Sequence, residues 1–244
     1  VGYYVNLTAG NAKLYIPNLA SGKYNVTVRY SGDYKYGEAQ NTTNFTVSKV
    51  ASSVNVTADN ITVGDKAVII IETPQDLCGN VTVSVDGENH TVFVSGGVGT
   101  LVVPGLDVGS HTVNVTFDGC KKYESSNNSA TFNVSKVKLD ENDIKVIDQG
   151  NGTVVVVVPN NATGNVTIKV GDKEFNATVV NGTAIVQLEN VTPGTHEVEV
   201  VYSGDGTYNA TTTIANVAAP KYDSPMNITV SEIRSGENGT VTVE

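Results

Sequence analysis

Between residues 50 and 136, apolar and polar positions alternate in short bursts set apart by glycine, proline, asparagine and aspartate. A period of two fits strands, and no stretch of helical period interrupts it. The pattern predicts seven strands, at 54–57, 67–72, 81–85, 91–94, 100–103, 111–117 and 131–134. In the sixth, Val113, Val115 and Phe117 face one way and Asn114 and Thr116 the other, so one face is expected in the core and one in water. Val166, Ile168 and Val170 repeat the alternation further along. Two runs break it: residues 68–71 and 154–158 are continuously apolar. That suggests cover on both faces, by glycan or a neighbouring chain, unless the outward valines are present only because they favour strands.

The alternation itself recurs. Val113-Asn114-Val115-Thr116-Phe117-Asp118-Gly119 returns as Val198-Glu199-Val200-Val201-Tyr202-Ser203-Gly204 and is preceded by Val26-Thr27-Val28-Arg29-Tyr30-Ser31-Gly32, at spacings of 85 and 87 residues respectively. Gly22-Lys23-Tyr24, Gly109-Ser110-His111 and Gly194-Thr195-His196 keep step, as do Phe45-Thr46-Val47-Ser48-Lys49-Val50 and Phe132-Asn133-Val134-Ser135-Lys136-Val137. The chain is therefore expected to be an array of one module, with boundaries just after the Ser-Lys pairs. Residues 1–49 align with the C-terminal part of a module, 50–136 and 137–219 with complete ones, and 220–244 with the N-terminal part of another. Val1 aligns with Glu88, and residues 241–244 fall in a second strand, as in a piece of a longer array. The alternative is that 220–244 donates strands to the open module of another copy, which would leave the equivalent of strand 81–85 unsupplied.

Seven short strands in about 85 residues read as an all-β fold, a β-sandwich of immunoglobulin type. Two residues before the first inward valine of the sixth strand stand Tyr24, His111 and His196. In such sandwiches a tyrosine there bonds nearby backbone, and a histidine ring nitrogen can take its place. Metal ligation or catalysis is the other reading of the histidines, but no second histidine or carboxylate set recurs beside them.

The run Gly194-Thr195-His196-Glu197-Val198-Glu199-Val200-Val201-Tyr202-Ser203-Gly204-Asp205-Gly206-Thr207-Tyr208 resembles the bacterial and archaeal immunoglobulin-like repeats of large surface proteins. With this wealth of Asn and Thr it is most similar to the adhesin-like proteins of methanogenic archaea. The resemblance covers all four module portions, although Asp118-Gly119-Cys120 departs from Ser-Gly-Asp. It implies a stalk or filament shaft of an extracellular surface protein, or alternatively an adhesin module binding a glycan or protein of a host or cell surface. The partners it implies are neighbouring copies or other surface proteins, and it brings no catalytic residues and no cofactor.

Composition narrows the classes. The net charge is −10, Trp is absent, and the 25 acidic residues are scattered, so a nucleic-acid partner is disfavoured. No apolar run approaches the roughly 20 residues of a membrane helix. Three histidines and two cysteines leave no nucleophile with a base beside it, so no enzyme is expected. Calcium at a module joint could use Asp33 or Asp205 with Asp65, but no dense acidic set is visible.

Asn-x-Ser/Thr occurs at Asn6, Asn25, Asn41, Asn44, Asn55, Asn60, Asn80, Asn89, Asn114, Asn127, Asn133, Asn151, Asn161, Asn165, Asn176, Asn181, Asn190, Asn209, Asn227 and Asn238. These are 20 of the 26 asparagines, several-fold more than random placement produces. A strand with Asn and Thr outward and Val inward writes Asn-Val-Thr automatically, but turn sites such as Asn151-Gly152-Thr153 are under no such pressure. N-glycosylation of an exported chain is therefore expected.

Cys78 lies between the second and third strands and Cys120 between the sixth and seventh, loops that share one end of such a sandwich. Their equivalents 85 residues on are Thr163 and Asp205, so both cysteines are present in one module and both missing from the next. A disulfide is expected, which would suit an oxidising compartment; two buried free thiols are the other reading. These loops are expected to face the preceding module and to help set a stiff joint.

Overall fold

Alternation at period two places valines on one side of each strand and Asn, Ser and Thr on the other, and the computed structural model shows strands of this kind packed in pairs of sheets. It describes residues 2–221 and 224–244. Val1, in the predicted 1–49 portion, and Tyr222 and Asp223, in 220–244, lie outside the described residues. The chain divides into two units, Val1–Ser135 and Lys136–Glu244.

The first unit opens with an antiparallel hairpin of β1 (Gly22–Tyr30) and β2 (Ala39–Val47), in register from Gly22↔Val47 to Tyr30↔Ala39. The strands that follow are β3 (Asn55–Ala58), β4 (Ile61–Thr62), β5 (Ala67–Glu72), β6 (Asn80–Val85), β7 (Glu88–Phe93), β8 (Val98–Val103), β9 (Gly109–Phe117) and β10 (Ser126–Ser135). They form one sheet in the order β3-β5-β8 and another in the order β4-β10-β9-β6-β7. Ile69 and Ile71 of the first sheet and Val81, Val83, Val113, Val115, Phe117 and Phe132 of the second are essentially solvent-free and form one core.

Strand β4 is absent from the sequence expectation. Two residues are too few to show a period, yet they carry the chain from the first sheet to the second, where Ile61 and Thr62 pair in parallel with Val134 and Ser135 of β10. Strand β10 also starts at Ser126, five residues before the expected 131. Polar residues on both sides hide its alternation, and the long hairpin with β9 carries its register from Phe117↔Ser126.

The second unit starts with a one-turn 3₁₀ helix, Glu141–Asp143, held by a reciprocal capping box between Asp140 and Asp143. Its strands are β11 (Lys145–Asp148), β12 (Thr153–Val157), β13 (Asn165–Val170), β14 (Lys173–Thr178), β15 (Thr183–Gln187), β16 (Gly194–Tyr202), β17 (Thr211–Ala219), β18 (Ile228–Val230) and β19 (Val241–Val243). Sheets β11-β12-β15 and β14-β13-β16-β17 enclose a core containing Val154, Val156, Val166, Ile168, Val200 and Tyr202. Strands β18 and β19 pair as a separate exposed hairpin.

The apolar runs alternate after all. Strand β5 buries Ala67, Ile69 and Ile71 and leaves Val68 47% and Ile70 41% exposed. In β12, Val154 and Val156 are buried while Val155 and Val157 are half-covered. Within this chain only one face of each run is buried, and the outward residues are β-branched, as strand preference requires.

Candidate functional site: the loop clamp and the sequon asparagines

The loop before the last strand of each sandwich, and the loop of the β1–β2 hairpin, are folded on the same plan. Gly32, Gly119 and Gly204 take φ values of +83°, +85° and +71°. A Cβ at Gly204 would lie 2.6 Å from the Ala210 nitrogen, and at Gly119 2.9 Å from that of Ser125. Only glycine tolerates both the left-handed backbone and the close approach. One residue on, the backbone N–H groups of Asp33, Cys120 and Asp205 donate to the carbonyls of Tyr36, Tyr123 and Tyr208.

The side chain after the glycine differs between modules. Asp205 Oδ1 accepts the N–H groups of Thr207 and Tyr208, each at 2.7 Å, and its Oδ2 accepts the Thr163 N–H at 2.7 Å and the Thr163 hydroxyl at 3.1 Å. In the other module Cys78 and Cys120 are joined as a disulfide, with Cα atoms 6.3 Å apart. Both pairs tie the same two loops together, one covalently and one through a carboxylate. A second tie runs beside each: the Tyr123 hydroxyl donates to Asp76 Oδ1 at 2.5 Å, and the Tyr208 hydroxyl to Asn161 Oδ1 at 2.8 Å. Lys122 also pairs with Asp76.

Burial acts to raise the Asp205 pKa. The N–H groups of Thr163, Tyr208 and Thr207, with the nearby Tyr202 hydroxyl, outweigh it and hold the carboxyl at about 2. Tyr202 is pushed well above the ordinary tyrosine range, first by burial and then by Asp205, and among the described residues its buried hydroxyl has no hydrogen bond of good geometry. Asp33 accepts the N–H groups of Lys35 and Tyr36 through one oxygen. These carboxylates are therefore occupied by donors of the loops they close. Among the described residues no three His, Cys, Asp or Glu side chains are grouped to hold a metal ion.

The residue after each of the two Ser-Lys pairs is stitched to the same loop. The N–H of Val50 donates to the Lys122 carbonyl and its own carbonyl accepts from the Glu124 N–H; Val137 does the same with Thr207 and Asn209. In the first unit, Ser21 Oγ also donates to the Lys121 carbonyl at 2.5 Å, so this loop meets the segment before it.

At the opposite corner, the Tyr24 hydroxyl donates to the carbonyl of Ala20 at 2.7 Å, His111 Nε2 meets that of Asp107 at 2.7 Å, and His196 Nε2 that of Thr192 at 2.6 Å. In each case the partner lies four residues upstream, so these histidines do the work of a corner tyrosine. No carboxylate set recurs beside them, but one of the histidines has a carboxylate of its own. His111 Nδ1 lies 2.5 Å from Asp86 Oδ2, while Asp86 Oδ1 accepts the Thr112 N–H. Asp86 reaches it from the Asp86-Gly87 turn of the β6–β7 hairpin, a turn signal in the sequence whose partner only the Val85↔Val113 register reveals.

Both ring nitrogens of His111 face acceptors, so the doubly protonated ring satisfies both. Its pKa is raised, first by the Asp86 hydrogen bond and then by the Asp107 carbonyl, against burial. The folded value exceeds the unfolded value of about 6.5. The stability it contributes is full below that value and is lost as pH rises through the raised one. The urea midpoint of residues 50–136 in the full chain is expected to fall between pH 5.5 and 9, and Asp86→Asn to flatten that slope. The other module, with Gly171 at the position of Asp86, supplies the reference.

All 20 sequon asparagines occupy exposed positions. Where their side chains accept hydrogen bonds, as at Asn41, Asn60, Asn151, Asn161 and Asn176, the atom used is Oδ1, not the Nδ2 to which sugar would attach. Five of them (Asn80, Asn89, Asn114, Asn127 and Asn133) lie on the outer face of the β4-β10-β9-β6-β7 sheet. The register groups Asn89, Ser84, Asn114 and Ser129 in one row and Thr91, Thr82, Thr116 and Asn127 in the next, with no charge among them. The corresponding face of the second unit is charged, with Lys169 and Glu199 paired at 3.1 Å.

The family described as bacterial Ig-like domain (group 3) matches residues 141–220. No curated protein matches the chain. Among solved structures, Parabacteroides merdae β-glucuronidase is similar at 14% identity and a TM-score of 0.29, covering 69% of this chain and 24% of that one. The BSP domain of a biofilm-associated protein is similar at 19% identity and a TM-score of 0.25, covering 70% and 30%. The titin fragment A168–A169 is similar at 12% identity and a TM-score of 0.34, covering 70% and 99%. The chain thus spans about a quarter to a third of the first two. From its sheets and the family match, the chain is an all-β assembly of immunoglobulin-like sandwich modules.

Proposed function

We propose that these modules form a stalk or filament shaft of a long, N-glycosylated, extracellular surface protein. The observation that carries this reading is the exposure of every sequon asparagine on a scaffold whose inward-facing valines are buried. Sugar at any of those positions would project into solvent without disturbing either core. The Cys78–Cys120 disulfide fits an oxidising compartment. The stitching of Val50 to the loop at Lys122–Glu124 and of Val137 to that at Thr207–Asn209 leaves little free linker ahead of either sandwich, as a stiff shaft requires.

An adhesive module would be marked by a loop insertion or an aromatic-lined loop missing from its siblings. Both complete modules instead share one loop plan, differing in how the clamp is closed. Glycopeptide mapping of the protein from its native source tests the proposal. Glycans on many of the 20 sequons are expected; unmodified sequons throughout would reject the glycosylated, exported reading.

A further inference from the structure

Phe93 is 73% exposed, whereas Phe117 and Phe132 are buried at 2% and 1%. It is the last residue of edge strand β7 and points outward, and the register sets it directly opposite Asn80 of β6. Opposed residues in an antiparallel pair hold their Cβ atoms about 5 Å apart. An exposed phenylalanine on a sheet edge is a liability in an isolated domain. The fold does not need it: in the next module the pair equivalent to Asn80↔Phe93 is Asn165↔Thr178, also opposed and also bearing a sequon asparagine.

We propose that Phe93 is the platform on which the first sugar of a glycan attached to Asn80 packs. The inference rests on the glycosylated reading above and names which sequon the protein itself embraces. In the attachment, a transferase uses a lipid-phosphate-linked oligosaccharide. The bond from Asn80 Nδ2 to sugar C1 forms as the C1–O bond to the phosphate breaks, one Nδ2 proton passes to a base, and the lipid phosphate leaves. The sugar then starts from the side chain facing the phenyl ring. One face of a pyranose presents C–H groups with slight positive charge, and the face of an aromatic ring is negative, so the two stack while water leaves both. The rim suits the same occupant: Thr82 and Thr91, the next opposed pair on this face, offer hydroxyls that donate and accept as sugar hydroxyls do. The two rows beyond the pair Asn80↔Phe93 carry no charge, so a neutral sugar extending over them meets no desolvated ion.

The test uses the full chain from its native source, as wild type and Phe93→Ala, each with and without Asn80→Gln, read by hydrogen exchange of the β6 and β7 amides and by glycopeptide mapping. With sugar on Asn80, Phe93→Ala is expected to raise exchange about fivefold; in the Asn80→Gln background the change is expected to stay below about twofold. Thr178→Phe should protect β13 and β14 when Asn165 carries sugar. Equal loss in both backgrounds overturns the proposal and makes Phe93 a contact for the fold or for another chain. An unmodified Asn80 among occupied neighbours also overturns it, yet leaves the shaft reading intact. Empty sequons throughout reject both.

Discussion

A chain carrying both Cys78→Ser and Cys120→Ser is expected to lose about 4 kcal/mol of stability in residues 50–136, the chain-entropy value for a bridge closing the observed separation of 42 residues. Chemical unfolding of the full chain should show one transition moving to lower urea while that of residues 137–219, which contain no cysteine, stays in place. The loss should be partial unfolding resistance rather than collapse, because the Tyr123 and Lys122 contacts to Asp76 remain. A shift of both transitions together would mean that the modules unfold as one body. No shift would mean that the bridge adds nothing to a loop already fixed by Gly119 and its neighbours.

The counterpart in the second unit is Asp205→Ala. Its carboxylate accepts three backbone N–H groups and a hydroxyl, and truncation leaves the N–H groups without that partner. Hydrogen bonds to a charged group contribute about 1.5–3 kcal/mol each, but they share one carboxylate and water replaces some, so a loss of about 3 kcal/mol is expected. Acid should reproduce part of the effect. The folded pKa is lowered to about 2, below the unfolded value of about 3.9. The contribution is therefore complete above pH 5 and disappears as pH falls through about 2. Urea midpoints between pH 5 and 2 should fall for the wild type and change less in Asp205→Ala. Parallel curves would show that other carboxylates govern acid unfolding.

Strands whose residues alternate over five or more positions were legible in the sequence, because each inward valine is paired with an outward polar neighbour. Val113, Val115 and Phe117 stand where that alternation puts them. What the sequence hid depends on partners far along the chain. Ile61–Thr62 becomes a strand only because β10 lies beside it, and Ser126–Ala130 extends β10 only because β9 supplies the register. Asp86 carries a turn signal, but nothing local says that its carboxylate will meet His111. The internal alignment located Thr163 and Asp205 as stand-ins for the cysteines. It could not show that their side chains bond, since a threonine and an aspartate are ordinary loop residues. The outward rows of Asn, Ser and Thr were visible as sequons, and their grouping on one sheet followed from pairing alone.

The crossing of β4 to the second sheet has a mechanical consequence. The strand near the start of this module and the strand at its end, β4 and β10, lie side by side and run in the same direction. Tension applied through the chain would draw them past each other lengthwise, so their ladder would be sheared all at once instead of peeled one bond at a time. The Val63 N–H, bonded to the Ser135 carbonyl, extends that ladder. A two-residue strand thus places the module's last seam along the line of pull.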